Sequence, residues 1–337
     1  MPPEVSIVMP VRDAAATLPR ALSSVAAQTC TDWELVVVDD GSSDGTPAIL
    51  AEWSQREPRL RVLPQAREGI VAALTKGLDA ARGCYVARLD ADDEMAPARL
   101  ERQVAALRAD ASLGLVACLV TFGGDRTERN GYATYVDWLN ALVTPEDIVR
   151  NRFVESPLAH PSVMFRRELV NRFGGYTAGD FPEDYELWLR WLEAGVRMAK
   201  VPEPLLVWHD SPGRLSRTDS RYATEAFYRL KARYLARATE RLCRGRALWV
   251  WGAGRPTRKR VRWLRAEGAT VAGYIDIDPR KTGRIVEGVP VVAAEELPAA
   301  ADAFVLGYVG TRGARDLIRA RLVQQRFREG ADFLMAA

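Results

Sequence analysis

Three short apolar runs rich in β-branched residues, Val5 to Val11 (VSIVMPV), Glu34 to Asp39 (ELVVVD) and Tyr85 to Leu89 (YVARL), constrain this chain most. Continuous runs of this length suit parallel strands buried on both faces. Between the first two, Leu18, Leu22 and Val25 recur at helical spacing over 17–28. A second helix is expected over 46–56, with Thr46 as N-cap and Pro47 in the first turn. A short strand over 61–63 and a helix over 69–81 follow. Strand–helix alternation over some ninety residues is the pattern of a doubly wound α/β domain.

Further on, the spacing predicts a helix over 97–108, a strand over 114–122 and a polar loop over 123–130. The stretch 152–166 reads as irregular, ending in the strand-like SVMF. An amphipathic helix over 182–194 puts Tyr185, Trp188, Leu189 and Leu192 on one face. The region 221–246 changes character, with eight basic residues against Glu225 and Glu240. Phe227, Leu230, Tyr234 and Leu235 supply an apolar stripe there, so a basic amphipathic helix is expected. A second α/β pattern then begins, with strands over 247–251, 270–275, 289–292, 303–309 and 332–335 and a helix over 256–266. The expected division is 1–215, a helical linker 216–246, and a smaller domain 247–337.

A chain of 337 residues can hold two such domains, and with 48% hydrophobic residues it can bury a sizeable core. The net charge of +3 is too small to argue for nucleic acid. Cys30, Cys84, Cys118 and Cys243 form no C-x-x-C pair and no zinc spacing. With no signal-peptide pattern and no apolar run near the ~20 residues of a membrane span, a reduced, cytoplasmic protein is expected.

The chemistry-bearing residues sit at strand ends, where open α/β sheets bind ligands. Asp39-Asp40-Gly41-Ser42 follows one strand. A carboxylate there can accept from a ribose or a base N–H, although the same residues also favour a plain turn. Asp90-Ala91-Asp92-Asp93 follows another. Asp90 and Asp92, two apart, can place oxygens near one hard cation, Mg²⁺ or Mn²⁺, as a departing diphosphate needs; the bland alternative is a solvated acidic turn. Glu183-Asp184 opens the amphipathic helix. Asp184 can act as a general base on an acceptor hydroxyl, while acids also simply favour a helix start. His209, after LLVWH and ahead of Arg214 and Arg217, can be a neutral metal ligand. His160 is left as a structural histidine.

Order and spacing of these pieces resemble the family-2 glycosyltransferases, which have the GT-A fold with its mixed, doubly wound sheet. The matching stretches are VSIVMPVRDAAATLPRALSSVAAQT, WELVVVDDGSSDGT, REGIVAALTKGLDAARG, YVARLDADDEMAPARLERQV, HPSVMFRR, GGYTAGDFPEDYELWLR and LLVWHDSPGRLS. The resemblance implies an enzyme that transfers a hexosyl or N-acetylhexosaminyl group with inversion from a nucleotide-diphosphate sugar, UDP in the first instance. The acceptor implied is a glycan or lipid-linked saccharide hydroxyl, with a bacterial surface polysaccharide as destination. It places Asp39, Pro10 and Arg12 at the donor base with Asp40 beside them. It makes Asp90 and Asp92 the D-x-D pair, with Asp92 the stronger metal ligand, and it makes Asp184 the base. His209 completes the metal site, and Lys76 and Arg88 face the donor. Glu183, Trp138 and Trp191 are acceptor candidates, with Tyr135 and Trp188 as further aromatics. Arg12 and Glu68 depart from the family pattern. A Q-x-x-R-W signature of processive synthases is absent, so a single-transfer enzyme is expected. A non-catalytic sugar-nucleotide scaffold would lack a base. A nucleotidyltransferase would open with a glycine-rich phosphate loop, where MPVRDAAATL has no glycine.

In the second domain Trp251-Gly252-Ala253-Gly254 follows a strand, and Asp276 follows the next, which is half of a dinucleotide fingerprint. This stretch resembles the small Rossmann-like domain that precedes some sugar acyltransferases. The alternative is a packing or oligomerisation domain that kept its turn glycines. The basic helix is expected to pack its stripe on the catalytic domain. Its second reading is peripheral association with an anionic membrane.

Overall fold

The computed structural model describes residues 1–337 except 128–129, 211–213 and 312, and the side chain of residue 130. The chain forms two compact units. The first comprises 1–148, 157–179 and 183–218, and the second 149–156, 180–182 and 219–337.

The first unit opens with β1 (Val5–Val11), α1 (Leu18–Ala26), β2 (Trp33–Asp40), α2 (Thr46–Arg56), β3 (Leu60–Gln65), α3 (Ile70–Ala80) and β4 (Tyr85–Arg88). Every residue of β2 is buried, which explains why its apolar residues run without alternation. After β5 (Glu94–Met95), α4 (Arg99–Ala109) and β6 (Leu113–Phe122) come α5 (Asn130–Asn140), α6 (Pro145–Asn151), β7 (Met164–Arg166), α7 (Glu168–Phe173), α8 (Glu183–Glu193), β8 (Arg197–Trp208) and α9 (Leu215–Thr218). The eight strands lie in the order β3-β2-β1-β4-β7-β6-β8-β5. β3, β2, β1 and β4 are parallel, and β7 is antiparallel to both its neighbours. The chain leaves β1 to one side for β2 and β3 and to the other for β4. The carboxyl ends of β2, β1 and β4 therefore line up at the point where strand order reverses.

Thr46 is the first residue of α2 rather than its cap. Its amide is held by Asp44 Oδ1 at 2.9 Å, and its hydroxyl accepts from the Ala14 amide at 2.8 Å. Elements α5, α6 and α7 and the long strand β8 were not expected from sequence.

The second unit contains α10 (Thr224–Cys243), β9 (Ala247–Trp251), α11 (Arg255–Ala266), β10 (Val271–Ile275), β11 (Ile285–Val286), β12 (Val289–Val292), β13 (Ala303–Gly307), α12 (Ala314–Gln324) and β14 (Phe333–Met335). Its sheet runs β11-β12-β10-β9-β13-β14, parallel except for β11. The basic helix α10 belongs to this unit. Its neighbours there are α11, β9 and β13, and Leu230, Tyr234 and Leu235 are buried. These three residues of the stripe thus find their partners in the second unit's own core. Among the described residues, no helix is long and apolar enough to cross a membrane.

Candidate active site

The parallel register pairs Pro10 with Val38 and Val11 with Asp39, so Arg12 emerges beside the acidic end of β2. The two adjacent aspartates there do different work. Asp40, 4% exposed, accepts from Gln65 Nε2 and the Glu68 amide at 2.8 Å and from the Gly69 amide at 3.0 Å. It thereby fixes the turn into α3, where Gly69 sits at φ +91°, a region that favours glycine. Arg12 lies 3.9 Å from the same carboxylate. Asp39 accepts at Oδ1 from the Ser42 amide at 3.1 Å. Lys76 donates to the Pro64 carbonyl at 2.8 Å, which ties α3 to β3.

Asp90, Asp92 and Asp93 follow β4, each offering one oxygen such that all three lie within 4.8 Å of one another. Three carboxylates this close raise one another's proton affinity. Burial, then the neighbouring acids, pushes Asp92 up and Asp93 well up. Asp90 goes down instead: burial opposes its charge, but the Arg88 guanidinium, with Arg214 behind it, outweighs that. Arg88 is 1% exposed and reaches Asp90 Oδ1 at 2.6 Å. Asp93 is wholly buried; its Oδ1 accepts from the His209 amide at 2.8 Å, while its Oδ2 has no hydrogen-bond partner among the described residues. An orphaned buried carboxylate oxygen inside a cluster of hard oxygen donors fits a divalent cation of the Mg²⁺ or Mn²⁺ type.

His209 stands beside this cluster rather than in it. Its Nε2 is 2.7 Å from Glu94 Oε1, and Glu94 also pairs with Arg20 at 3.1 Å. Arg214 supplies positive charge against all three aspartates. It donates to the His209 carbonyl at 2.6 Å and lies over the rings of Trp208 and Tyr132, 4.9 and 5.7 Å from their centroids.

Asp184, at the start of α8, is half-buried and accepts at Oδ1 from the Tyr185 amide at 2.7 Å. Burial, then the charge of Glu183, pushes its carboxyl up to about 7. Nearby, His160 Nε2 and the Tyr176 hydroxyl are 2.7 Å apart. Burial, then Arg88, pushes His160 well below its ordinary range, so it stays neutral.

Two acceptor candidates are corrected. Trp191 is 0% exposed, and its Nε1 donates to the Gly174 carbonyl at 3.1 Å, so it is core and cannot stack on a sugar. Glu183 is 1% exposed and acts on Asp184 through its charge. Trp138 keeps part of its surface, its ring stacked on Tyr135 at 5.9 Å. Sequence reasoning missed Asp93, Tyr132, Tyr176 and the charge role of Arg214. Asp93 alone carried a local signal, as the third acid of the DADD run.

The family model described as Glycosyl transferase family 2 matches residues 6–174. The chain belongs to glycosyl transferase family 2. The O-antigen biosynthesis protein RfbC of Myxococcus xanthus is 33% identical over 71% of this chain, which spans only 18% of that protein's length. The succinoglycan biosynthesis protein ExoO of Rhizobium meliloti is 33% identical over 64% of the chain and 63% of its own length. For the putative glycosyltransferase EpsE of Bacillus subtilis the figures are 27%, 66% and 79%. Among solved structures, a mannosyltransferase from Pyrobaculum calidifontis in complex with GDP-Man and Mn²⁺ aligns with TM-score 0.50 and 24% identity, covering 78% of this chain and 69% of that one. Residues 1–349 of TarS from S. aureus, in complex with UDP-GlcNAc, align with TM-score 0.52 and 16% identity over 78% and 71%. These likenesses establish the GT-A fold of this family-2 glycosyltransferase.

Proposed function

We propose that the chain transfers a sugar, with inversion, from a nucleotide-diphosphate sugar to a hydroxyl of a glycan or lipid-linked saccharide. The observation that carries this reading is the pairing of two kinds of acid in one unit. Three carboxylates form a cation-binding cluster at the end of β4, and a separate half-buried carboxyl, Asp184, is poised near 7. Asp39 and Pro10 hold the donor nucleotide, with Arg12 at the rim. Asp92, with Asp90 and Asp93, would hold a divalent cation, which supplies neutralising charge to the departing diphosphate. Asp184 takes the proton of the acceptor hydroxyl as its oxygen bonds to the anomeric carbon. The bond from that carbon to the diphosphate oxygen breaks on the opposite face, and the electron pair leaves with the diphosphate. Arg88 keeps Asp90 ionised and oriented, and Arg214 adds cationic charge on the diphosphate side.

The relatives named for O-antigen and succinoglycan biosynthesis support a surface polysaccharide as product. The solved neighbours with GDP-Man and with UDP-GlcNAc support a sugar nucleotide as donor, with a UDP-sugar the first to try. Donor hydrolysis across a panel of nucleotide sugars with Mn²⁺, Mg²⁺ or EDTA tests the reading. The expected result is metal-dependent use of one donor, lost in Asp92→Ala. Failure of every donor to bind in any metal would overturn it.

A further inference from the structure

The second unit carries a cleft of about 970 Å³ to which the transfer proposed above assigns no role. It is lined by Trp251 at the end of β9 and by the segments that follow β9 (Gly252, Gly254), β10 (Asp276, Ile277) and β13 (Val309 to Thr311). β9 is the first strand of its sheet; the chain goes to one side for β10 and to the other for β13. The cleft therefore lies at the carboxyl ends of parallel strands at a second reversal of strand order, the place where open α/β sheets bind ligands.

Its walls are built for a particular chemistry. Gly252 sits at φ +109°, and a Cβ there would come within 2.7 Å of Val309, so glycine is needed for the turn. Gly254 differs: it is extended, at φ −69° and ψ 158°, and a Cβ would meet nothing nearer than Pro256 Cδ at 3.8 Å. Glycine at 254 answers no demand of the fold and leaves open space over the first turn of the twelve-residue helix α11. Arg260 and Lys281 bring cationic groups to the cleft. Ile277 and Leu317 line it while 82% and 74% exposed, unusually bare for large aliphatic side chains. Cationic side chains and exposed aliphatic surface lining one cleft suit a ligand that joins a phosphate to a flat, largely apolar ring.

The acid of the half-fingerprint is already committed. Asp276, 7% exposed, accepts from the Ala253 amide at 2.8 Å and the Asp278 amide at 2.9 Å and pairs with Lys281 at 3.1 Å. It braces the glycine turn and has little left for a ribose 2′-hydroxyl.

We propose that this cleft binds a mononucleotide, its phosphate over Gly254 and the start of α11 near Arg260, its base against Ile277 and Leu317, without the ribose clamp of a dinucleotide site. Among the described residues no metal-holding group of acids lines the cleft, so the binding proposed here needs no divalent cation.

Calorimetric titration of the full chain with UDP, GDP, ADP and NAD⁺ in EDTA tests this. An Asp39→Ala background separates the cleft from the donor pocket of the first unit. One mononucleotide is expected to bind at one site per chain. Gly254→Val, which fills the open space without backbone strain, should weaken that binding at least tenfold at unchanged melting temperature. Gly254→Val alone should leave donor hydrolysis intact, so failure here is distinguishable from failure of the transferase reading. No mononucleotide binding, binding untouched by Gly254→Val, or NAD⁺ binding more tightly than every mononucleotide would each overturn the proposal.

Discussion

Asp184 carries a carboxyl that burial and Glu183 push up to about 7, so at neutral pH it is divided between its two forms. A general base works only when ionised, so transfer should rise with pH through about 7 and level off above it. Asp184→Asn should cost roughly 10²–10⁴-fold in kcat and abolish that rising limb. A wild-type profile flat between pH 5.5 and 8.5 would remove Asp184 from the role. Trp191 leads to the opposite expectation. Being core, Trp191→Ala should lower stability by about 3–5 kcal/mol in a denaturant titration and leave acceptor KM unchanged in the folded fraction. Both residues stand on α8, and sequence alone distinguished them poorly. The place of Asp184 was legible because an acid at a helix start after a glycine-rich loop is a local pattern. The burial of Trp191 was not, since it depends on Phe165 and Trp188 packing around it, 5.1 and 6.1 Å away between ring centroids. Arg214 escaped for the same reason: the aspartates it faces, Asp90, Asp92 and Asp93, are more than a hundred residues distant along the chain.

At the scale of elements, the parallel half of the first sheet was legible and the second half was not. β1, β2 and β4 are buried on both faces, so their composition shows them. β8 contains Pro202 and Pro204, which argue against a central strand. The structure admits them by a break in register against β6: Cys118 pairs with Val201, and Leu119 pairs next with Pro204. α5 begins Asn130-Gly131 and carries Thr134, Tyr135, Val136 and Trp138, a turn signal followed by strand formers. Tertiary packing overrides both. One buried network ties the parallel strands to the turn before β4. Glu34 of β2 accepts from Ser6 of β1 at 2.6 Å, from the Arg82 amide at 2.8 Å and from Arg61 of β3 at 2.9 Å. Burial alone would raise its pKa, but these partners lower it to about 2. A depressed carboxylate stabilises the fold above its unfolded pKa and loses that contribution as pH falls through the folded value. Glu34→Gln should therefore cost about 1–3 kcal/mol at pH 7, allowing for screening of the half-exposed arginines. The gap to wild type should close as pH drops from 4.5 toward 2. An unchanged gap across that range, by urea titration, would assign the stability to shape rather than charge.

At the scale of the whole molecule, the expected cut near residue 215 lies close to where the chain enters the second unit, at 219, yet it does not separate the units. Residues 149–156 and 180–182 precede it in sequence and group with the second unit. Lys231 of α10 shows how one of these segments is held. Its buried ammonium donates to the carbonyls of Phe153 at 2.8 Å, Val154 at 3.3 Å and Ala336 at 2.7 Å, joining three remote stretches of chain. Burial pushes the ammonium down to about 7, so the charge is held at a cost that only these carbonyls and the nearby Glu155 offset. No local pattern announces such a pin: in sequence Lys231 is one more basic residue of a basic helix. A chain ending at residue 218 keeps 149–156 but loses Lys231 and everything else that segment packs on within its unit. That fragment should be soluble at lower yield and melt at lower temperature than the full chain, even though it contains all of Asp39, Asp92 and Asp184. Lys231→Met in the full chain should reproduce part of the loss, about 1–3 kcal/mol, by leaving buried carbonyls without a donor. Because burial holds the folded-state pKa below its unfolded value, the wild type loses stability as pH falls from about 10.5 to about 7, so the cost of the substitution should shrink over that range and level off below it. If fragment 1–218 melts as high as the full chain, the segment 149–156 has no structural debt to the second unit, and the simple linear division is the better description.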